Sequence, residues 1–473
     1  MLNPGELPIE LTDKIIDEVW TSQLEISLDA PAGLLSSLAL VSHAFRCRIN
    51  ANRFATISFF ERKSTCSDIN AFLDLIRSDI WAPEATIVRH IRTVKLVLAA
   101  QGKVHSSVDD GAFTAILDTI FRGPHHTVLP KDAFTLALYG HPRSEPRQTH
   151  PFYGGIQWSY ISPTFISYLQ MLAASYIGSI ELWWFSDTRP ACLKEMSMKK
   201  LKLVGVEFLE VDRHKKRDGV LSGPWKGIED LDVKYSNFFE LIYLAPASLE
   251  WNLAAVKTLS IYLARAESVK LISPHWYQWC CLETLTIDIY YDFSNFDFEV
   301  PYKSLPRLKR VVLNMVLNMS DLNQPWLSYI LDTIGRDMPA IPELELTFQS
   351  NLLFADGLQL RGRVDDIIEY MDCVRLDAVL EHYCTTTAPS STLTIRFHHR
   401  VSEISGVGFD VQEFMTRGVR VLRDAFPLLN SGPRCGIFDT VFQKQWMNRK
   451  SRNSILHNGI SSVVYSPSSE RKI

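Results

Sequence analysis

Cysteine is sparse in this chain and is never arranged for chemistry. Eight cysteines are scattered over 473 residues, and no two form a Cys-x-x-Cys pair. A disulfide framework is not expected; reduced thiols in a cytosolic or nuclear compartment are. Charge of one sign is equally scarce. A formal net charge of −4 gives no overall pull toward nucleic acid or an anionic membrane. No apolar run approaches the ~20 residues that span a bilayer. The N-terminal stretch carries Glu6, Glu10, Asp13, Lys14, Asp17 and Glu18, so it forms no secretory h-region. Without secretion, the sequon at Asn318-Met319-Ser320 has no consequence.

Catalytic motifs are missing as well. The chain has no Gly-x-Ser-x-Gly elbow, no Gly-x-x-x-x-Gly-Lys phosphate loop and no Gly-x-Gly-x-x-Gly after a strand. His125-His126 follows Gly-Pro in an expected loop, and His398-His399 follows a strand, where neighbours point to opposite faces. Cys280-Cys281 is a poor chelating pair, and Cys373, His382 and Cys384 could converge near the end of one helix but match no zinc spacing. No metal, no cofactor and no enzyme activity is expected. The basic run Arg213 to Arg217, between Asp212 and Asp218, reads as a solvated loop, with a nuclear-import signal as the alternative.

What is present is pattern. Leu11, Ile15 and Val19 are four apart and share a helical face, with Pro8 suited to the first turn. Pro31 and Gly33 break the chain. Leu34, Leu38, Val41, Phe45 and Ile49 then form a second apolar stripe, and a third short helix is expected to hold Ala51 and Phe54. Three helices in about 50 residues make a small core that needs support from a partner or from the rest of the chain.

These residues resemble an F-box, specifically the F-box-like domain of mushroom-forming fungi. The resemblance rests on Leu7-Pro8-x-Glu10-Leu11, Ile15-Ile16, Leu38-x-x-Val41-Ser42 and Arg53-Phe54. It departs at Phe45, where the family often has Trp, and in a longer loop from Thr21 to Ala32. A generic three-helix bundle is the alternative. The resemblance implies that Leu7, Pro8, Leu11, Ile15, Leu38, Val41 and Phe45 contact a Skp-type adaptor and, through it, a cullin.

Beyond this module the pattern predicts a helix from Ser67, a strand Thr93–Leu98, a helix Ala112–Phe121 and a strand Phe134–Leu138. A long loop follows over Gly140–Ser162, then a helix near Thr164–Ser175. Short apolar-x-apolar segments then recur at Leu201, Leu231, Leu259, Leu285, Val311, Leu344 and Leu393. Their starts are separated by 30, 28, 26 and 26 residues, then by 33 and 49. Such a period marks a solenoid, and the Leu-x-x-Leu-x-Leu grammar resembles degenerate leucine-rich repeats without their regular Asn. Helices over Trp326–Ile334, Ile367–Tyr383 and Phe414–Phe426 would form the convex layer. A conventional α/β sheet is the alternative. The fold class expected is therefore α/β. Residues 1–60 form a three-helix F-box, 61–430 an irregular leucine-rich-repeat-like solenoid with a parallel sheet, and 431–473 a poorly ordered tail.

Strand alternation turns Trp183, Lys202, Asp232, Lys234, Tyr262, Asp288, Asn314, Glu345 and Arg396 away from the core. Mixed signs with aromatics suit a protein surface better than a nucleic-acid groove. Lys202, Lys234, Tyr262, Asp288 and Asn314 are expected side by side, spanning about 19 Å, as the substrate-binding set. The resemblance implies the substrate-recognition subunit of an SCF-type ubiquitin ligase, in the cytosol or nucleus. The alternative is a binding scaffold whose F-box-like module does not engage the adaptor.

Overall fold

Alternation of period two sorts each strand of this protein into a buried and an outward set, and the buried sets stack in register. The structure is a computed structural model. It describes residues 43–60, 66–78, 87–99, 111–123, 130–141, 156–189, 193, 196–209, 227–239, 253–263, 279–289, 305–317, 341–354, 372–386, 391–404, 420–421, 424–431, 437–447 and 460–465. The chain divides into two compact units, Met1–Val256 and Lys257–Ile473.

In the first unit, β1 (Thr56–Phe60), β2 (Thr93–Ala99), β3 (Thr135–His141), β5 (Ser179–Trp183), β7 (Lys200–Val204) and β8 (Asp230–Lys234) pair in that order, all parallel. A separate parallel pair joins β4 (Ile156–Gln157) to β6 (Phe185–Ser186). One core row runs Ile57, Val94, Leu136, Ile180, Leu201, Leu231; the next runs Phe59, Leu96, Leu138, Leu182, Leu203, Val233. All of these are buried. Helix α1 (His43–Phe54) precedes β1, and α2 (Cys66–Ser78), α3 (Ala112–Phe121) and α4 (Pro163–Ser175) lie in the connections between strands. Phe113, Ile116, Leu117, Ile120 and Phe121 form the buried stripe of α3. The Phe59 ring packs edge-on against Phe72 of α2 and Phe113 of α3. Ser162 caps α4 by accepting the Phe165 N–H at 3.1 Å, with Pro163 in the first turn.

Three register-matched strands leave the sheet through the same backbone conformation. Trp184, Gly205 and Tyr235 follow β5, β7 and β8 with φ of 61°, 62° and 51°. The Trp184 and Tyr235 rings stack at 6.3 Å. The Trp184 ring lies so close to Gly205 that a Cβ there would meet Trp184 Cε3 at 2.3 Å. The Trp184 carbonyl also accepts the Ile156 N–H, which draws β4 into the expected loop Gly140–Ser162.

In the second unit, β9 (Thr258–Leu263), β10 (Thr284–Ile289), β11 (Arg310–Leu317), β12 (Glu343–Phe354), β13 (Thr392–Ile404) and β14 (Ile437–Met447) run parallel in sequence order. β15 (Ile460–Tyr465) adds antiparallel to β14. Ile261, Ile287, Leu313, Leu346 and Ile395 share one buried row. Helix α5 (Cys373–Thr386) covers this core through Leu376, Leu380 and Tyr383, whose hydroxyl donates to the Ile341 carbonyl at 2.6 Å. Asp377 is buried and accepts the N–H groups of Leu428 and Leu429 at 2.8 and 3.0 Å, capping α6 (Pro427–Ser431).

Several local expectations shift. The helix α1 runs unbroken through Ile49, Ala51 and Phe54, joining residues divided above between two helices; no Gly or Pro interrupts it. β1 begins two residues later, inside the 1–60 segment. β14 and β15 lie in the 431–473 segment expected to form a poorly ordered tail. Cys373 and Cys384 sit eleven residues apart on one helix, about 16 Å along its axis. They do not converge as the sequence allowed. The expected helix Trp326–Ile334 and the basic run at 213–217 lie outside the described residues.

Candidate binding surface

Of the expected adaptor contacts, Leu7, Pro8, Leu11, Ile15, Leu38 and Val41 lie outside the described residues, and Phe45 falls within α1. The surface that can be built from side chains is the outward face of the strands in each unit.

On the first unit the face is held by a ladder that crosses four strands. Tyr139 of β3 and Trp183 of β5 are register partners, and their rings stack at 5.1 Å and 17°. The Lys202 ammonium of β7 lies 5.1 Å from the Trp183 ring centroid and 3.3 Å from Asp232 Oδ2 on β8. The Trp183 Nε1–H donates to Glu181 Oε2 at 3.1 Å, fixing the indole in its plane. Burial, and then the Glu181 charge, push the Tyr139 hydroxyl up to about 12. Lys202 pairs in register with Glu181 on one side and Asp232 on the other, whereas Lys234 pairs with Val204. Lys202 and Lys234 are therefore not side by side: one extra residue pair along the strand separates them. Tyr139 and Glu181 were absent from the outward set. The alternation around Leu136, Leu138, Ile180 and Leu182 was the signal that could have placed them there.

On the second unit Tyr262, Asp288 and Asn314 do occupy one row, in direct register, and Thr347 and Arg396 continue it. The Asn314 amide donates to Asp288 Oδ1 at 2.6 Å. One row away Glu345 is buried. Arg310 Nη2 donates to its Oε2 at 2.6 Å, and Arg396 Nη1 donates to its Oε1. Two half-exposed arginines thus offset the cost of burying one carboxylate. Arg310 was not in the expected outward set because it opens its strand, before the apolar triplet that marked the repeat.

Each face is a polar and aromatic sheet surface whose groups are oriented by cross-strand partners. Among the described residues no group of three or more His, Cys, Asp or Glu could hold a metal ion. Cys373 is buried, and burial followed by the charges of Asp372 and Asp377 pushes its thiol up to about 12, which is the opposite of an activated nucleophile. Among the described residues no helix is long and apolar enough to cross a membrane. No family model matches the sequence, and no curated protein is significantly similar to it.

Proposed function

We propose that this chain is the substrate-recognition subunit of an SCF-type ubiquitin ligase. Residues 1–60 act as the F-box and bind a Skp-type adaptor through Leu7, Pro8, Leu11, Ile15, Leu38, Val41 and Phe45, and the adaptor brings the cullin. The remainder is an irregular leucine-rich-repeat-like solenoid that holds a protein substrate, and the complex works in the cytosol or nucleus. The observation that carries this proposal is the outward sheet face, with in-register rows of mixed charge and aromatic side chains on parallel strands. Such a face fits a protein epitope better than a polyanion. The N-terminal pattern supplies the link to an adaptor. The chain itself makes and breaks no bond. It raises the effective concentration of substrate beside the transferring machinery, so that ubiquitin transfer becomes nearly intramolecular.

Affinity purification from native extract tests the assignment. Adaptor and cullin are expected in the eluate of the intact chain. They should be lost from the Leu7→Ala, Pro8→Ala double variant, with its circular dichroism unchanged. Retained adaptor in that variant would sink the F-box assignment. A chain that holds other proteins but never the adaptor would be the scaffold described above. A Tyr262→Ala, Asp288→Ala variant should lose substrate proteins while keeping the adaptor. Identical partners would move the substrate site off this face, with Gly140–Ser162 the next segment to test.

A further inference from the structure

We infer that the outward face of the first unit accepts an arginine side chain of the protein substrate, and that Lys202 occupies the arginine's place in the free chain. The inference rests on the proposal that this face holds substrate, and it names the chemistry of the group held.

Three observations carry it. First, Asp232 is incompletely satisfied. Its Oδ2 meets the Lys202 ammonium at 3.3 Å, longer than the ~2.8 Å of a good charge-assisted bond. Its Oδ1 is buried and has no hydrogen-bond partner. An orphaned carboxylate oxygen is a standing cost that a second donor removes. A guanidinium presents two parallel N–H groups and can satisfy both oxygens together, which an ammonium at one oxygen does not.

Second, an aromatic face is already in place. Lys202 sits over the Trp183 ring, whose other side is backed by Tyr139 at 5.1 Å and whose Nε1–H is tied to Glu181. The indole is thus held at a set angle before any ligand arrives. A planar guanidinium stacks on such a ring more effectively than a hydrated ammonium does.

Third, the resident cation has somewhere to go. Lys202 lies in register between Asp232 on one neighbouring strand and Glu181 on the other. Side chains directly opposite on adjacent strands are within about 5.5 Å at Cβ. A swing of the flexible lysine stem therefore moves its charge from Asp232 to Glu181 without leaving it unpaired.

The test uses the full chain and three capped pentapeptides, Gly-Ser-X-Ser-Gly with X as arginine, lysine or citrulline, followed by ligand-observed NMR titration. The arginine peptide should bind saturably, the lysine peptide several-fold less tightly, and the neutral citrulline isostere not measurably. Asp232→Asn keeps the shape and removes the charge, and should weaken the arginine peptide by at least about tenfold. Lys202→Met removes the competitor and should tighten it. Near-UV circular dichroism reports that both variants keep the native fold. Absence of saturable arginine binding, equal binding of citrulline, an unaffected Asp232→Asn variant, or weaker binding by Lys202→Met would each overturn the inference. None of these outcomes depends on the adaptor, so loss of this site and loss of the ligase assignment are separately visible.

Discussion

Gly205→Ala is the most discriminating perturbation of the first unit. Gly205 sits at φ +62°, where an L residue with a Cβ costs roughly 1–2 kcal/mol. The added methyl would stand 2.3, 2.6 and 2.9 Å from Cε3, Cζ3 and Cδ2 of Trp184, where carbon atoms in contact prefer about 3.5–4.0 Å. The ring would have to retreat by about 1 Å. It is hemmed in, because the Trp184 N–H donates to Val204 at 2.8 Å and the ring stacks on Tyr235. Overpacking of this kind costs about 1–3 kcal/mol. The total expected is about 2–5 kcal/mol. Gly227 is a matched control: its φ is +83° and nothing lies within 4 Å of a built Cβ. Gly227→Ala should cost only the conformational part, about 1–2 kcal/mol. Urea unfolding followed by tryptophan fluorescence gives both values. The excess of Gly205→Ala over Gly227→Ala should shrink when Trp184→Ala is added to the former, since the clash partner is then gone. Equal losses at the two glycines would refute the argument that Trp184 occupies the space beside Gly205.

Three further outcomes are expected. Ile287→Ala, in the middle of the buried row of the second unit, should cost about 2–5 kcal/mol in urea unfolding, and a loss under ~1 kcal/mol would contradict its place in the core. Asp377→Ala removes the acceptor for two backbone N–H groups at the start of α6 and should cost about 2–4 kcal/mol, with faster amide hydrogen exchange at Leu428 and Leu429; unchanged exchange there would exclude the cap. The His90 imidazole is held below its ordinary 6.5 by burial and by the charges of Arg89 and Arg92. The native state therefore binds that proton less readily than the unfolded chain, and stability falls as pH drops through the unfolded value. His90→Gln should flatten the fall in stability as pH drops below about 6.5, and an unchanged slope would remove His90 as its source.

Much of the architecture was legible from local pattern, for a physical reason. A strand with one face against the core must place apolar residues at every second position, so Leu201-x-Leu203, Leu285-x-Ile287 and Leu344-x-Leu346 announced both their conformation and their buried side. The same holds for α3, whose stripe predicted Ala112–Phe121 to the residue. Tertiary structure decided what local pattern leaves open. Register depends on how each connection closes, and it alone set Lys202 against Asp232 and Lys234 against Val204. It brought Tyr139 to Trp183 across 44 residues of chain, and Arg310 and Arg396 to one buried Glu345. The left-handed exits at Trp184 and Tyr235 had no sequence mark, since both are bulky residues that rarely adopt that conformation. They are held there by neighbours, Trp184 by hydrogen bonds to Val204 and Ile156 and both rings by their mutual stacking, and only the folded sheet assembles those partners.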